Sequence, residues 1–286
     1  MDWLEVNGTV LRYELRGGDS PPAVLIHEMG GALESWDLVW SLLPTNQTLL
    51  RYDTRGAGLS EKLLEAPDID THVDDLAALL DATGITEPVV LAGVAVGAGI
   101  AIRFASRYPH RVRSLIAMAP ACGVASDTRD RTLARARALR EEGLRDLLPA
   151  LLELTWPAQL RTDTARYQTF RNRWLTGDPA SFAGIFAMLA NMNLDDDLTR
   201  LPARSVLVAG IFDALRPPAE IDRLTRLAPG IQSIHIESGH FMHIQSPKWV
   251  ATLIQQFDSS RADSAEMYRE FMADERNRCG LVQHPA

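Results

Sequence analysis

The sequence predicts an α/β fold: a mostly parallel sheet flanked by helices, with an inserted helical cap. Three observations carry that expectation. Short apolar runs alternate with amphipathic stretches of helical length. The alternation stops between about 121 and 201, where helical patterns follow one another without a strand. A glycine-flanked turn, Gly93-Val94-Ala95-Val96-Gly97, separates an apolar run from a helix-like one. With 286 residues, 46% of them hydrophobic, the chain can fill the core of one large α/β domain with a moderate insertion.

In chain order, Trp3 to Val6 and Val10 to Leu15 flank Asn7-Gly8, a pair that favours positive φ, and read as a β-hairpin. The runs Ala23–Ile26, Thr48–Tyr52, Pro88–Ala92, Arg113–Met118, Ser205–Ala209 and Ser233–Ile236 then read as strands buried on both faces. Residues 1–120 and 202–257 form the expected core, and 121–201 the cap. Cap helices are expected over Thr128–Glu142, Gly143–Leu154, Thr164–Leu175 and Pro179–Met192. Trp156, Phe186, Met188 and Met192 are candidates to line a substrate pocket from the cap, although packing of cap helix on cap helix is the more ordinary reading for most such residues. The extension 258–286 carries one amphipathic pattern around Ala265–Glu275, a candidate docking element should the chain form a homodimer.

Charge and composition narrow the function classes. The 29 basic and 37 acidic side chains give a net charge of -8, which argues against a nucleic-acid partner. No stretch reaches the roughly 18 apolar residues of a membrane span, and the N-terminus lacks the basic and apolar regions of a leader. Cys122 and Cys279 have neither disulfide-framework nor zinc spacing, which fits a reducing cytoplasm. No cluster suggests a metal, nucleotide or flavin cofactor, and a small-molecule substrate is the expected partner.

The turn at 93–97 is where chemistry is expected. A strand, a sharp turn and a helix expose the central residue at the carboxyl edge of the sheet, and the N–H of Val96 opens the helix beside it. A dinucleotide fingerprint fails on spacing, because Ile102 stands where its third glycine would be. The loop Ile26-His27-Glu28-Met29-Gly30-Gly31 follows an early strand and offers the Met29 N–H as a second donor, so Met29 and Val96 are the candidate oxyanion hole. His27 reads first as a brace of that loop; with Glu28 it is also a candidate pocket residue. A zinc motif is excluded, since Gly31 occupies the second histidine position. In Asp53-Thr54-Arg55-Gly56-Ala57-Gly58-Leu59-Ser60, Asp53 and Arg55 read as loop braces rather than as an acid and an anion clamp. Asp213 lies just beyond one strand and His240 just beyond the next, in the order elbow, acid, histidine. His240 is the candidate general base, oriented by Asp213, with His243 as a neighbour and Phe241 as a pocket candidate.

On these motifs the chain resembles the α/β-hydrolase superfamily over residues 1 to about 257, and within it the branch typified by 3-oxoadipate enol-lactonases. The resemblance implies cofactor-free hydrolysis of lactones, esters, amides or activated C–C bonds in small carboxylated or aromatic molecules. The departure is Ala95, which stands where the nucleophilic serine is expected and cannot attack a carbonyl. Three readings stay open: a serine hydrolase whose nucleophile has been replaced and which is inactive in acyl-enzyme chemistry; a serine-less enzyme (a lyase, carbamate-type hydrolase or oxygenase) using His240 and Asp213 as general base; and a non-catalytic binding protein or receptor.

Overall fold

The protein is described from a computed structural model covering residues 1–260 and 262–278; Cys279 and the end of the extension lie outside the described residues. Eight strands form one sheet: β1 (Asp2–Val6), β2 (Thr9–Arg16), β3 (Ser20–Ile26), β4 (Gln47–Tyr52), β5 (Val89–Val94), β6 (Val112–Met118), β7 (Ser205–Gly210) and β8 (Gln232–Ile236). Their order is β1-β2-β4-β3-β5-β6-β7-β8. β2 pairs antiparallel with β1 and β4, and every pairing from β4 to β8 is parallel.

Around the sheet lie α1 (Asp37–Trp40), α2 (Ile69–Ala82), α3 (Val96–Arg107), α9 (Pro218–Leu227), α10 (Met242–Gln245) and α11 (Pro247–Gln256). The cap carries α4 (Arg129–Glu142), α5 (Leu148–Thr155), α6 (Thr164–Leu175), α7 (Pro179–Asn191) and α8 (Asp195–Leu198). The extension adds α12 (Ser264–Ala273) and α13 (Glu275–Arg278). The short helices α1, α8 and α10 were not expected, because a single turn leaves no periodicity to read.

Strand alternation divides the core in two. Val24, Ile26, Leu91, Leu115 and Leu207 face α2, α3 and α9, where Leu76, Leu79, Phe104, Ile221 and Leu224 meet them. Ala23, Leu25, Val90, Ile116 and Val206 face the other side and pack with Trp36, Trp249, Leu253 and Phe257. With both faces covered, β5 and β7 are buried at every residue, which is why they read as unbroken apolar runs. A third cluster fills the cap and reaches down to Phe241 and Ile244 of the sheet domain.

The helix α12 packs on its own chain. Met267 is buried, Tyr268 meets the Trp249 ring edge-on at 5.0 Å and Phe271 meets it tilted at 5.3 Å, and the Tyr268 hydroxyl accepts the Glu237 N–H at 2.9 Å. The apolar face expected to serve as a docking element is therefore covered intramolecularly. Among the described residues no helix is long and apolar enough to cross a membrane.

One close approach sets the elbow against the loop after β3. A Cβ on Gly97 would run into the main-chain carbonyls of Ile26 and His27, so β3 and the start of α3 can touch only through a glycine. Gly97→Ala should cost about 3 kcal/mol, as overpacking against main chain does, and should show as a lowered midpoint in urea unfolding. An unchanged midpoint would mean that the contact is not a tight one.

Candidate active site

Ala95 sits between β5 and α3 with φ 53 and ψ −112, a conformation that residues bearing a Cβ rarely adopt. Such strain costs on the order of 1–3 kcal/mol and survives only where the surroundings enforce it. They do so here by main-chain bonds: the Ala95 N–H donates to Met118 O at 2.9 Å, and its carbonyl accepts from Gly99 and Ala121 at 3.1 and 3.0 Å. The elbow is therefore built without a hydroxyl at its tip.

Beside it, the Val96 N–H opens α3 and the Met29 N–H lies in the loop after β3. Among the described residues neither donates a hydrogen bond within the chain, and both residues border the same cleft as Ala95. The helix N-terminus adds a favourable field for negative charge at Val96.

His240 and Asp213 meet across the ends of β7 and β8. Gly210 permits this, since a Cβ there would collide with the carbonyls of Ser238 and Gly239. The two loops lock together as Ile211 N–H donates to Ile236 O and Phe212 N–H to Ser238 O, both at 3.0 Å. His240 Nδ1 then lies 2.7 Å from Asp213 Oδ2, while Oδ1 accepts the N–H groups of Leu215 and Arg216 at 2.9 Å. A carboxylate opposite Nδ1 places the proton there and leaves the Nε2 lone pair for a reacting group. His240 is 4% exposed and lines the cleft with Ala95.

The neighbouring polar motifs are braces. Asp53 accepts from Arg12 and from the N–H groups of Leu33 and Leu59, and Arg55 is forked onto buried Asp75. His27 Nε2 accepts the Thr54 N–H at 3.0 Å, which puts its proton on Nδ1 and lets that donate to Glu28 O at 2.6 Å. This ring ties the β3 and β4 loops together and borders a second cavity behind Met29 and Val96, outside the cleft that holds Ala95.

Glu28 and His243, both fully buried, approach to 2.9 Å off the line a hydrogen bond requires; Ser35 Oγ donates to the carboxylate at 3.0 Å. Burial opposes the charge on Glu28, but the His243 ring beside it outweighs that and holds the carboxyl down at about 2. Glu28 is thus a fixed post at the cleft wall. His72 is buried in α2, and burial pushes its imidazole down to about 4.

The cleft has an apolar wall of Trp174, Phe186, Leu189 and Phe241 and two cations, Arg135 and Arg216. Three cap candidates lie elsewhere. Trp156 is buried among Tyr167 and Phe170, its indole N–H bonded to Leu160 O. Met188 is turned about 200° from Phe186 around α7 and belongs to the apolar core that also holds α2 and α3. Met192 follows the last helical residue in extended conformation and packs against that same core. Arg135, Arg216 and Leu189 were not expected; for Arg216 the signal was its place in the turn begun by Asp213. Among the described residues no group of side chains could hold a metal ion.

The family model of the serine aminopeptidases, S33, matches residues 24–243, from β3 through the dyad. The chain belongs to that family. As an S33 member it has the α/β-hydrolase fold, and it is similar to enol-lactonases. It is 28% identical over 269 residues to 2-hydroxymuconate semialdehyde hydrolase of Pseudomonas sp. (strain CF600), covering 85% of this chain and 88% of that one. It is 23% identical to 3-oxoadipate enol-lactonase 1 of Acinetobacter baylyi, covering 88% and 94%. The enol-lactonase structure from Burkholderia xenovorans LB400 superposes with a TM-score of 0.82 at 21% identity, covering 91% of this chain and 100% of that one, which shows the shared fold. Against a longer curated relative, 36% identical over 118 residues, the chain spans about a third of that relative's length.

The Glu28 carboxyl, ionised down to about 2 when folded against an ordinary 4.5, contributes stability that is fully present above pH 4.5 and lost as pH falls toward 2. Glu28→Gln should lower stability at neutral pH and flatten its pH dependence in that window, read by urea unfolding at a series of pH values. A variant as acid-sensitive as the parent would remove Glu28 from this role.

Proposed function

We propose that this S33-family chain is a cofactor-free hydrolase of a small lactone, ester, amide or activated C–C substrate, and that His240 delivers water directly because Ala95 offers no nucleophile. The observation that carries this reading is the 2.7 Å contact of His240 Nδ1 with Asp213, beside two N–H donors on one cleft that have no partner among the described residues. A binding pocket has no need of an oriented base.

The substrate carbonyl carbon lies near the Ala95 methyl, its oxygen on the Met29 and Val96 N–H groups. Water gives a proton to His240 Nε2 as its oxygen bonds to the carbonyl carbon, and the negative charge moves onto the held oxygen. Collapse breaks the bond to the leaving group, which takes the proton back from His240. Asp213 keeps the ring oriented and offsets its transient positive charge. Arg135 and Arg216, without carboxylate partners among the described residues, favour an acidic group on the substrate, and the aromatic wall favours a flat apolar one. The names of the similar proteins, a semialdehyde hydrolase and enol-lactonases, fall in that class.

A panel of carboxylated lactones and aryl esters should show slow turnover by the chain that His240→Ala lowers by roughly 10² to 10⁴. Ala95→Ser should raise it by orders of magnitude, because it opens the acyl-enzyme route. Turnover indifferent to His240→Ala would defeat the water mechanism. Activity appearing only in Ala95→Ser would return the site to the ordinary serine mechanism with its nucleophile missing.

A further inference from the structure

The end of one cap helix bonds to the main chain beside the acid and at the base. At the end of α5, Leu154 O accepts the N–H of Ala214, next to Asp213, at 2.9 Å, and Thr155 O accepts the N–H of His240 itself at 3.0 Å. One side chain fastens this junction. Gln245, on α10, lies so that Oε1 accepts the Phe241 N–H at 3.0 Å and Nε2 donates to Thr155 O at 3.3 Å. The orientation of its amide follows from its partners, since a main-chain N–H can only donate and a carbonyl can only accept. Ser238 Oγ approaches the same Oε1 at 3.5 Å. The fit leaves no slack: a Cβ on Gly239 would stand 2.7 Å from Thr155 O and 2.9 Å from Gln245 Nε2.

We propose that Gln245 is a positioning residue for His240, clamping the 238–241 loop to the end of α5 so that the imidazole keeps its register with Asp213 only while the cap is seated. The inference rests on the reading of His240 as the general base. Gln245 touches neither Ala95 nor the cleft that Ala95 borders; it acts through the main chain on both sides of the histidine. Misplacement of a catalytic group by an ångström is enough to cost ~100-fold in rate, so a loosened loop is a catalytic defect even in a well-folded protein.

Two substitutions separate the arms of the clamp. Gln245→Glu is isosteric, retains an acceptor for Phe241 N–H and loses the donor to Thr155 O; Gln245→Leu loses both. The readout is the downfield proton resonance of His240 Nδ1–H, assigned by its disappearance in Asp213→Asn, together with thermal unfolding to confirm that each variant is folded. The expected result is that both variants broaden or lose this resonance by faster exchange with water, and that turnover falls about 10- to 100-fold with KM little changed. A resonance unchanged in both variants would overturn the role of Gln245 while leaving the dyad intact. Loss in Gln245→Leu alone would place the effect within the loop and overturn the link to the cap. Absence of the resonance in the parent chain would remove the dyad itself, and the clamp with it.

Discussion

Main chain pressed on main chain at the carboxyl edge of the sheet is the constraint from which the rest follows. The start of α3 lies against the end of β3 through Gly97, and Gly93 admits the turn that brings Gly97 back over β5. These contacts are short because no side chain intervenes, and they bring the Met29 and Val96 N–H groups to one cleft. A second crossing of the same kind, with Gly210 under Ser238 and Gly239, sets Asp213 against His240. The buried α3 and the all-apolar β5 anchor the first crossing from below, and the paired loops after β7 and β8 anchor the second.

Around these crossings the polar groups divide into two kinds. Asp53, Arg55, His27 and Glu28 spend their hydrogen bonds and charges on the chain itself. Among the described residues the N–H groups of Met29 and Val96, by contrast, have no partner, and Asp213 engages only one nitrogen of His240. Residues that look equally chemical in a sequence are thus sorted by whether their partners are internal. The site consists of what remains unpaired.

The sheet was legible because burial on both faces turns strands into continuous apolar runs, and the elbow because close packing demands glycine at 93 and 97 whatever the chemistry. The face of the cap turned to the cleft was not. α7 is buried at nearly every position from Ser181 to Ala190, so its periodicity cannot say that Phe186 and Leu189 look into the cleft while Met188 looks away. Trp156 shows the same limit, since an aromatic in a helical insertion satisfies its neighbours as readily as a ligand. Contacts made by main-chain carbonyls, such as those of Leu154 and Thr155, leave no mark in residue type at all. The contact of Glu28 with His243 joins residues more than 200 positions apart, which only the fold brings together.

The backbone at Ala95 holds a methyl in a twist normally associated with a reactive side chain, and it does so with bonds that belong to residues 99, 118 and 121. Position 95 therefore behaves as a socket. The scaffold, rather than the occupant, determines where the side chain points, so a thiol or a selenol placed there would inherit the same aim toward the two N–H donors and the imidazole. In a chain of this kind the loss or gain of a nucleophile is a change of fitting with no rebuilding of the frame, and mechanisms that are distinct on paper lie one codon apart.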